Sequence, residues 1–218
     1  MDIGSSFSFM FQDQDWPKKV LIGGLISLVP ILNFAALGYL VQVIRNVRDG
    51  QALPLPEWDQ LGEHFRNGLI LFLIFLVYTI PIILLACIQT GVSVVVGSAS
   101  SGSEAASSIF SLVSICFSCL MGVWGLAIAV LSPAVLIRFA DTSEFQSGLR
   151  LGEVMAIIRA NPGSYLIAMI IMWVASGVIA PLGLIACGVG VIVTGFWATL
   201  VTGHVLGQLA AQTPAPAA

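Results

Sequence analysis

From Tyr165 to Leu206 the chain runs 42 residues without one charged side chain. As a single helix that stretch would be about 63 Å long, twice the roughly 30 Å of a bilayer's hydrocarbon core. The sequence therefore predicts a membrane hairpin over 165–206. Its turn is expected at Pro181-Leu-Gly183 or along Cys187-Gly188-Val-Gly190. Three more apolar runs are long enough to reach across a membrane. They are Val20–Ile44 (with Pro30 and Asn33), Leu69–Val96 (with Pro81 and Gln89) and Ile109–Ile137 (with Pro133). All are apolar on every side, so helix is expected; a membrane barrel would alternate apolar and polar residues in ten-residue strands.

Composition closes off the alternatives. Hydrophobic residues make up 58% of the chain and charged ones 9%, against roughly 25% charged in a soluble domain. Mean hydropathy is +1.01. Eight basic and eleven acidic side chains cannot give a domain of this size a patch-free wet surface. The net charge of -3 supplies no basic footprint for nucleic acid. Asp2, Asp13 and Asp15 ahead of the first run are wrong for a signal peptide, so that run is read as an uncleaved membrane segment.

The basic residues are few enough to place one by one. Lys18 and Lys19 precede the first run. Arg45, Arg48 and Arg66 fall between the first two runs, and Arg138, Arg150 and Arg159 between the last two; Gly97–Ser108 has none. The positive-inside rule makes 45–67 and 138–164 cytoplasmic and 97–108 external. A first run that crosses once strands Lys18 and Lys19 outside. A re-entrant hairpin over 20–44, broken at Pro30 with Asn33 at its tip, brings all eight basic residues inside. The hairpin is the preferred reading.

The segments between the runs have their own pattern. In the 45–67 linker, Trp58, Leu61 and Phe65 share one helical face and Glu57, Gln60 and Glu63 lie off it. The spacing predicts an amphipathic segment at the headgroup level, anchored by Trp58 and Phe65. In 138–164, Thr142 or Ser143 is the expected N-cap of an amphipathic helix, with Glu144 in its first turn and Asn161-Pro162-Gly163 as its stop. Residues 1–19, with Phe7, Phe9, Phe11 and Trp16, form a third such segment, Trp16 being another interface anchor; residues 209–218 form a short tail. A surface segment, a turn and a membrane pair thus recur three times, a suggestion of a threefold repeat with poor side-chain alignment.

Phe7-Ser-Phe-Met-Phe-Gln-Asp-Gln-Asp-Trp-Pro-Lys-Lys-Val-Leu-Ile-Gly-Gly24, Leu53-Pro-Leu-Pro-Glu-Trp-Asp59, Gly152-Glu-Val and Ile158-Arg-Ala-Asn-Pro-Gly-Ser-Tyr165 together resemble domain-of-unknown-function family 4013. The resemblance covers nearly the whole chain, and the Leu-Pro-Leu-Pro-Glu-Trp string is its most specific part. It implies a polytopic membrane protein of bacteria or archaea. It carries no activity and no catalytic residues to transfer.

Few residues suggest chemistry. Cys116 and Cys119 share a helical face, but no histidine lies near them and Cys87 and Cys187 sit in other runs, so packing is favoured over a metal or redox site. His204 is the one candidate cofactor ligand, for a haem or pigment, against a structural role near the interface. No acid lies inside an apolar run, so neither a proton relay nor a carboxylate metal site is expected. Gly195, Thr199, Gly203 and Gly207 recur every four residues as a smooth stripe, fit for packing inside the chain or against another subunit; Ala186, Gly190 and Thr194 form a second.

The sequence thus predicts an all-α polytopic transmembrane bundle of four to six membrane helices arranged as hairpins, with interfacial amphipathic helices. It is expected in the inner (cytoplasmic) membrane. The segments are 1–19, 20–44, 45–67, 69–96, 109–137, 138–164, 165–206 and 209–218. The expected role is a non-catalytic scaffold or accessory subunit of a membrane complex or homo-oligomer. It would have no cofactor, no metal and no nucleic-acid partner, and its neighbours would be the lipid bilayer and other membrane subunits or copies of itself. The alternatives are a small-molecule or lipid transporter, and a pigment- or haem-binding subunit that uses His204.

Overall fold

A computed structural model describes residues 2–99, 104–186 and 190–213. Among these residues every regular element is helical. The chain divides into two compact units, Met1–Ile74 with Pro133–Ala218, and Phe75–Ser132.

The first unit opens with α1 (Ile3–Ser8), N-capped by the Asp2 carboxylate on the Ser5 N–H, and a 3-10 turn over Phe9–Gln12. Pro17 in the first turn starts α2 (Trp16–Leu28), and Val29, extended ahead of Pro30, ends it. α3 (Asn33–Arg48) follows after four residues. It closes with Arg45 and Arg48 in its last turn, where cations suit the helix dipole, and with Gly50 at φ +71° just beyond. The run 20–44 is thus two helices, and Asn33 stands exposed at their junction.

α4 (Leu61–Ala99) and α5 (Glu104–Thr142) are continuous helices of 39 residues each, long enough to begin in one unit and end in the other. They exceed the expected 69–96 and 109–137. Pro81 and Pro133 lie inside them without ending them. The N-terminal extension of α4 holds because His64 and Asn67 are buried against the first unit, so residues expected in a surface linker belong to a core helix.

Nor does the helix of the 138–164 segment start where expected. Ser143 adopts φ +58° and ends α5, its N–H bonded to the Phe139 carbonyl. A 3-10 turn (Ser147–Leu149) intervenes, and α6 (Leu151–Ala160) begins eight residues later than the predicted cap. Pro162 then opens α7 (Pro162–Val174), which runs through a π turn (Ala175–Ile179) into α8 (Ala180–Leu182). A wider turn just ahead of Pro181 accommodates a residue with no N–H to donate. A 3-10 turn (Gly183–Ala186) leads towards α9 (Gly190–Gln212). Of the two expected turn sites, Cys187–Val189 lies outside the described residues. At the other, a Cβ on Gly183 would stand 2.2 Å from the Gly190 backbone.

α9 is the hub, packing against α1, α2, α3 and α7. Glycines on and around it set the helix directions. Gly23 and Gly24 of α2 meet Phe196 and Ile192, so α2 runs antiparallel to α9. Gly203 meets Leu40 and Val43, and Gly207 meets Ile44 and Val47, so α3 runs parallel to it. Hence α2 and α3 are antiparallel to each other. Gly38 against His64, and Gly68 against Phe34, make α4 antiparallel to α3. These directions bring the start of α2, the end of α3, the start of α4 and the end of α9 to one end of the unit. Ion pairs and hydrogen bonds attach the end of α5 and α6 there too: Arg48 to Asp141, Arg45 Nε to the Ala140 carbonyl (2.7 Å) and Arg138 to Glu153 (2.6 Å). All eight basic residues lie at this polar end.

The second unit comprises the C-terminal part of α4 and the N-terminal part of α5, held in part by Trp124 Nε1–H on the Tyr78 carbonyl (3.0 Å). Among the described residues four helices are long and apolar enough to cross a membrane: Trp58–Val96, Phe110–Thr142, Pro162–Leu182 and Gly190–Gln212. Only 11% of the most apolar window of the first is covered by protein. Leu84, Ile88, Val94, Leu112 and Val123 stand exposed, more apolar surface than water tolerates. The fold is that of a membrane protein.

Candidate functional site

The polar end is built around Leu53-Pro-Leu-Pro-Glu57. Two prolines remove two N–H donors from this stretch and hold it extended, leaving a row of backbone carbonyls with no secondary structure to receive them. Four successive carbonyls are taken by four side chains. Asn46 Nδ2 donates to Pro54 (3.0 Å), Lys19 Nζ to Leu55 (3.2 Å), Tyr39 Oη to Pro56 (2.9 Å) and His64 Nε2 to Glu57 (3.1 Å). The donors come from α2, α3 and α4, so this strut clips three helices together. Gln42 backs the arrangement, donating to Asn46 Oδ1 (2.9 Å).

Lys19 is the centre. It is 5% exposed, with its ammonium 2.8 Å from Asp13 and 2.6 Å from Glu57. With the Leu55 carbonyl, three acceptors meet three ammonium donors. Beside it Trp58 donates from Nε1 to the Lys19 carbonyl (3.0 Å) and stacks on Tyr39 with ring centroids 4.4 Å apart. His64 meets both rings edge-on. The strings Asp13–Lys19 and Leu53–Trp58, 34 or more residues apart in sequence, are therefore one cluster in space.

The charges of the cluster are driven away from neutral pH. Burial by itself would raise the Asp13 carboxyl, but the hydrogen bond from Lys19, the Asp15 N–H and the Lys19 charge hold it below its ordinary value. Burial would lower Lys19, yet its bonds to Asp13 and Glu57 keep it above the usual lysine range. Arg48 is likewise raised, chiefly by its hydrogen bond to Asp49. At Glu153, burial works upward but the bonds from Arg150 and Arg138 prevail and lower the carboxyl. A group that shuttles protons at neutral pH needs the opposite tuning.

Two clefts flank Glu57 and Asp59. One of about 370 Å³ is lined by Asp15, Lys18, Lys19, Ile22 and Trp58; the other, of about 290 Å³, by Gln42, Asn46, Gln51, Gln60 and His64.

The residues singled out from sequence are dispersed. His204 is buried under the N-terminal segment, with Nδ1 3.0 Å from Ser6 Oγ and 3.1 Å from Gln208 Nε2 and its ring stacked on Phe9 at 4.3 Å. It is a buried tie between α9 and the N-terminal segment. Gly203 and Gly207 of the small-residue stripe pack against α3 within the chain. Thr199 returns its hydroxyl to the Gly195 carbonyl, and a Cβ on Gly195 would meet nothing within 4 Å. In the second stripe Thr194 bonds the Ala180 carbonyl (2.8 Å). Of the aromatic anchors, Trp58 stacks as described, Phe65 meets Phe34 edge-on (5.8 Å) and Trp16 meets Phe11 (5.0 Å). Cys87, Cys116 and Cys119 are free and exposed, and among the described residues no group of three metal-ligating side chains converges. Asn46 and the pairing of Lys19 with Asp13 and Glu57 carried no signal in the sequence; the one available clue was the pair of prolines, which strip a segment of donors and so demand donors from elsewhere.

The family described as "Protein of unknown function (DUF4013)" matches residues 22–189, 168 of the 218 positions. The range takes in the Leu53–Asp59 strut and the 152–165 strings, and begins just after Lys19. No curated protein and no solved structure matches the chain.

Proposed function

The chain belongs to that family, and we propose that it acts as a non-catalytic scaffold or accessory subunit, in a homo-oligomer or a larger complex of the bacterial inner membrane. The observation that carries this reading is the use of charge at the polar end. Lys19, Arg48 and Arg138 are each committed to a carboxylate of a neighbouring segment, and Lys19 and Asp13 are tuned away from neutral pH. Ionisable groups spent on joining segments serve assembly better than acid–base chemistry. The face around Gly195, open within 4 Å, is the part of the small-residue stripe left for a neighbour.

In the same reading the protein is multi-pass, with the polar end cytoplasmic. α2 and α3 then form a re-entrant hairpin. At 13 residues α2 is about 20 Å long, too short to span a bilayer but enough for one leaflet. The test is the native mass and composition of the particle after gentle solubilisation. A homo-oligomer or a co-purified membrane partner is expected. A strictly monomeric particle, alone, contradicts the proposal. A transporter is the second reading, favoured by the π turn at Ala175–Ile179 and the break between α2 and α3; it requires substrate flux in reconstituted vesicles.

A further inference from the structure

From the cleft beside Trp58 we infer a binding site for one phospholipid with a primary-ammonium headgroup, a phosphatidylethanolamine. The inference rests on the membrane placement of the α2–α3 hairpin proposed above.

The cleft is lined by charges of both signs. Lys18 is exposed on α2, and among the described residues it makes no ion pair. Facing the same cavity are Asp15 and Asp59, also exposed and also outside every ion pair, together with the outward part of Glu57. Asp15 occupies the N-cap position of α2 without using its side chain as a cap, so its carboxylate is uncommitted. A phosphodiester next to an ammonium group is the headgroup that answers this pattern: the phosphate to Lys18, the ammonium to the carboxylates. A primary ammonium offers three N–H donors to those oxygens. A quaternary ammonium offers none and is recognised by aromatic faces instead. Trp58 is the one aromatic residue lining the cleft, and one of its faces is already stacked on Tyr39.

The floor of the cleft continues into an apolar track. Lys18, Ile22 and Leu25 follow one another at i, i+4 and i+7 on one face of α2, and Val29 ends the helix just beyond them. Ile22 lines the cavity, and beyond it Leu25 is 50% exposed and Val29 44%. From Lys18 to Leu28, the last residue of α2, the helix rises about 15 Å, close to the depth of one leaflet's hydrocarbon. A lipid with its headgroup in the cleft would lay its acyl chains along these side chains. A free phosphoethanolamine has no use for that track, which is why the site is assigned to a lipid.

The experiment titrates purified protein in detergent with dihexanoyl phosphatidylethanolamine, dihexanoyl phosphatidylcholine or phosphoethanolamine, and reads the unfolding midpoint. Phosphatidylethanolamine is expected to raise the midpoint at a concentration at least tenfold lower than phosphatidylcholine, with phosphoethanolamine inert over the same range. Asp15→Asn with Asp59→Asn should erase that preference, and Lys18→Gln should weaken both lipids. All three side chains are exposed, so the variants should fold. Equal response to the two lipids, a preference that survives D15N/D59N, or an equal response to phosphoethanolamine each overturns the site. In parallel, Leu25→Cys in a variant with its four native cysteines replaced by Ala carries a depth-sensitive label in nanodiscs. A shielded label with no lipid preference removes this site alone. A label open to an aqueous quencher removes the hairpin's membrane placement, and this site with it.

Discussion

Lys19 shows how a residue that reads as a flanking charge becomes the joint of a structure. It holds the first segment through Asp13 and the strut through Glu57 and Leu55. Removing one partner of a buried ion pair leaves an uncompensated charge, so Lys19→Met should cost about 3 kcal/mol, read as a lower unfolding midpoint in detergent. Trp58→Phe keeps the stack on Tyr39 and loses only the bond to the Lys19 carbonyl, and should cost about 1 kcal/mol. The pair also sets a pH window. Asp13 sits below its ordinary 3.8, so its contribution is full above that value and lost as pH falls through the folded one. Lys19 sits above its ordinary 10.5, so its contribution is full below that value and lost as pH rises through the folded one. The midpoint should therefore hold level through neutral pH, and Asp13→Asn should flatten the acid limb. None of this was legible beforehand. Lys19 finds Asp13 six residues away and Glu57 thirty-eight away, spacings that correspond to no helical or strand period.

At the scale of elements, close approach between helices decides more than hydropathy does. A Cβ on Gly38 would stand 1.7 Å from the His64 carbonyl oxygen, and one on Gly68 the same distance from that of Phe34. Both partners are backbone, so α3 and α4 must separate. Gly38→Ala and Gly68→Ala should each cost about 3 kcal/mol. Gly195→Ala, in open space, should stabilise by about 0.5–1 kcal/mol through helix propensity. In the scaffold reading Gly195→Leu should shift the native mass towards monomer with little change in the midpoint. The apolar runs were legible because each exceeds a bilayer's thickness and carries no charge. Helix ends were less so. Asn46, His64 and Asn67 are polar, yet all are buried in helices, because donors for a proline-rich strut and close helix crossings are tertiary needs. The Thr142/Ser143 cap failed because Ser143 closes one helix in the left-handed region instead of opening the next.

For the whole molecule, eight basic residues were enough to suggest that the ends of the first unit share one side, and helix directions within that unit bring them together. A shorter segment precedes each of the pairs α2–α3, α4–α5 and α7–α9, but Phe9, Met10 and Leu55 of the first two are buried in the core rather than laid on a surface. The pairs differ greatly in length, which is why their side chains do not align. The central claim is that lipid surrounds the apolar helices and that residues 20–44 return to the side they left. Single cysteines at Gln14, Gln51 and Glu144, in a cysteine-free background, test it in sealed inverted membrane vesicles with a thiol reagent that does not cross the bilayer. All three should react from the exposed cytoplasmic face of the intact vesicles. Gln14→Cys protected until detergent is added, while Gln51→Cys reacts at once, would contradict it.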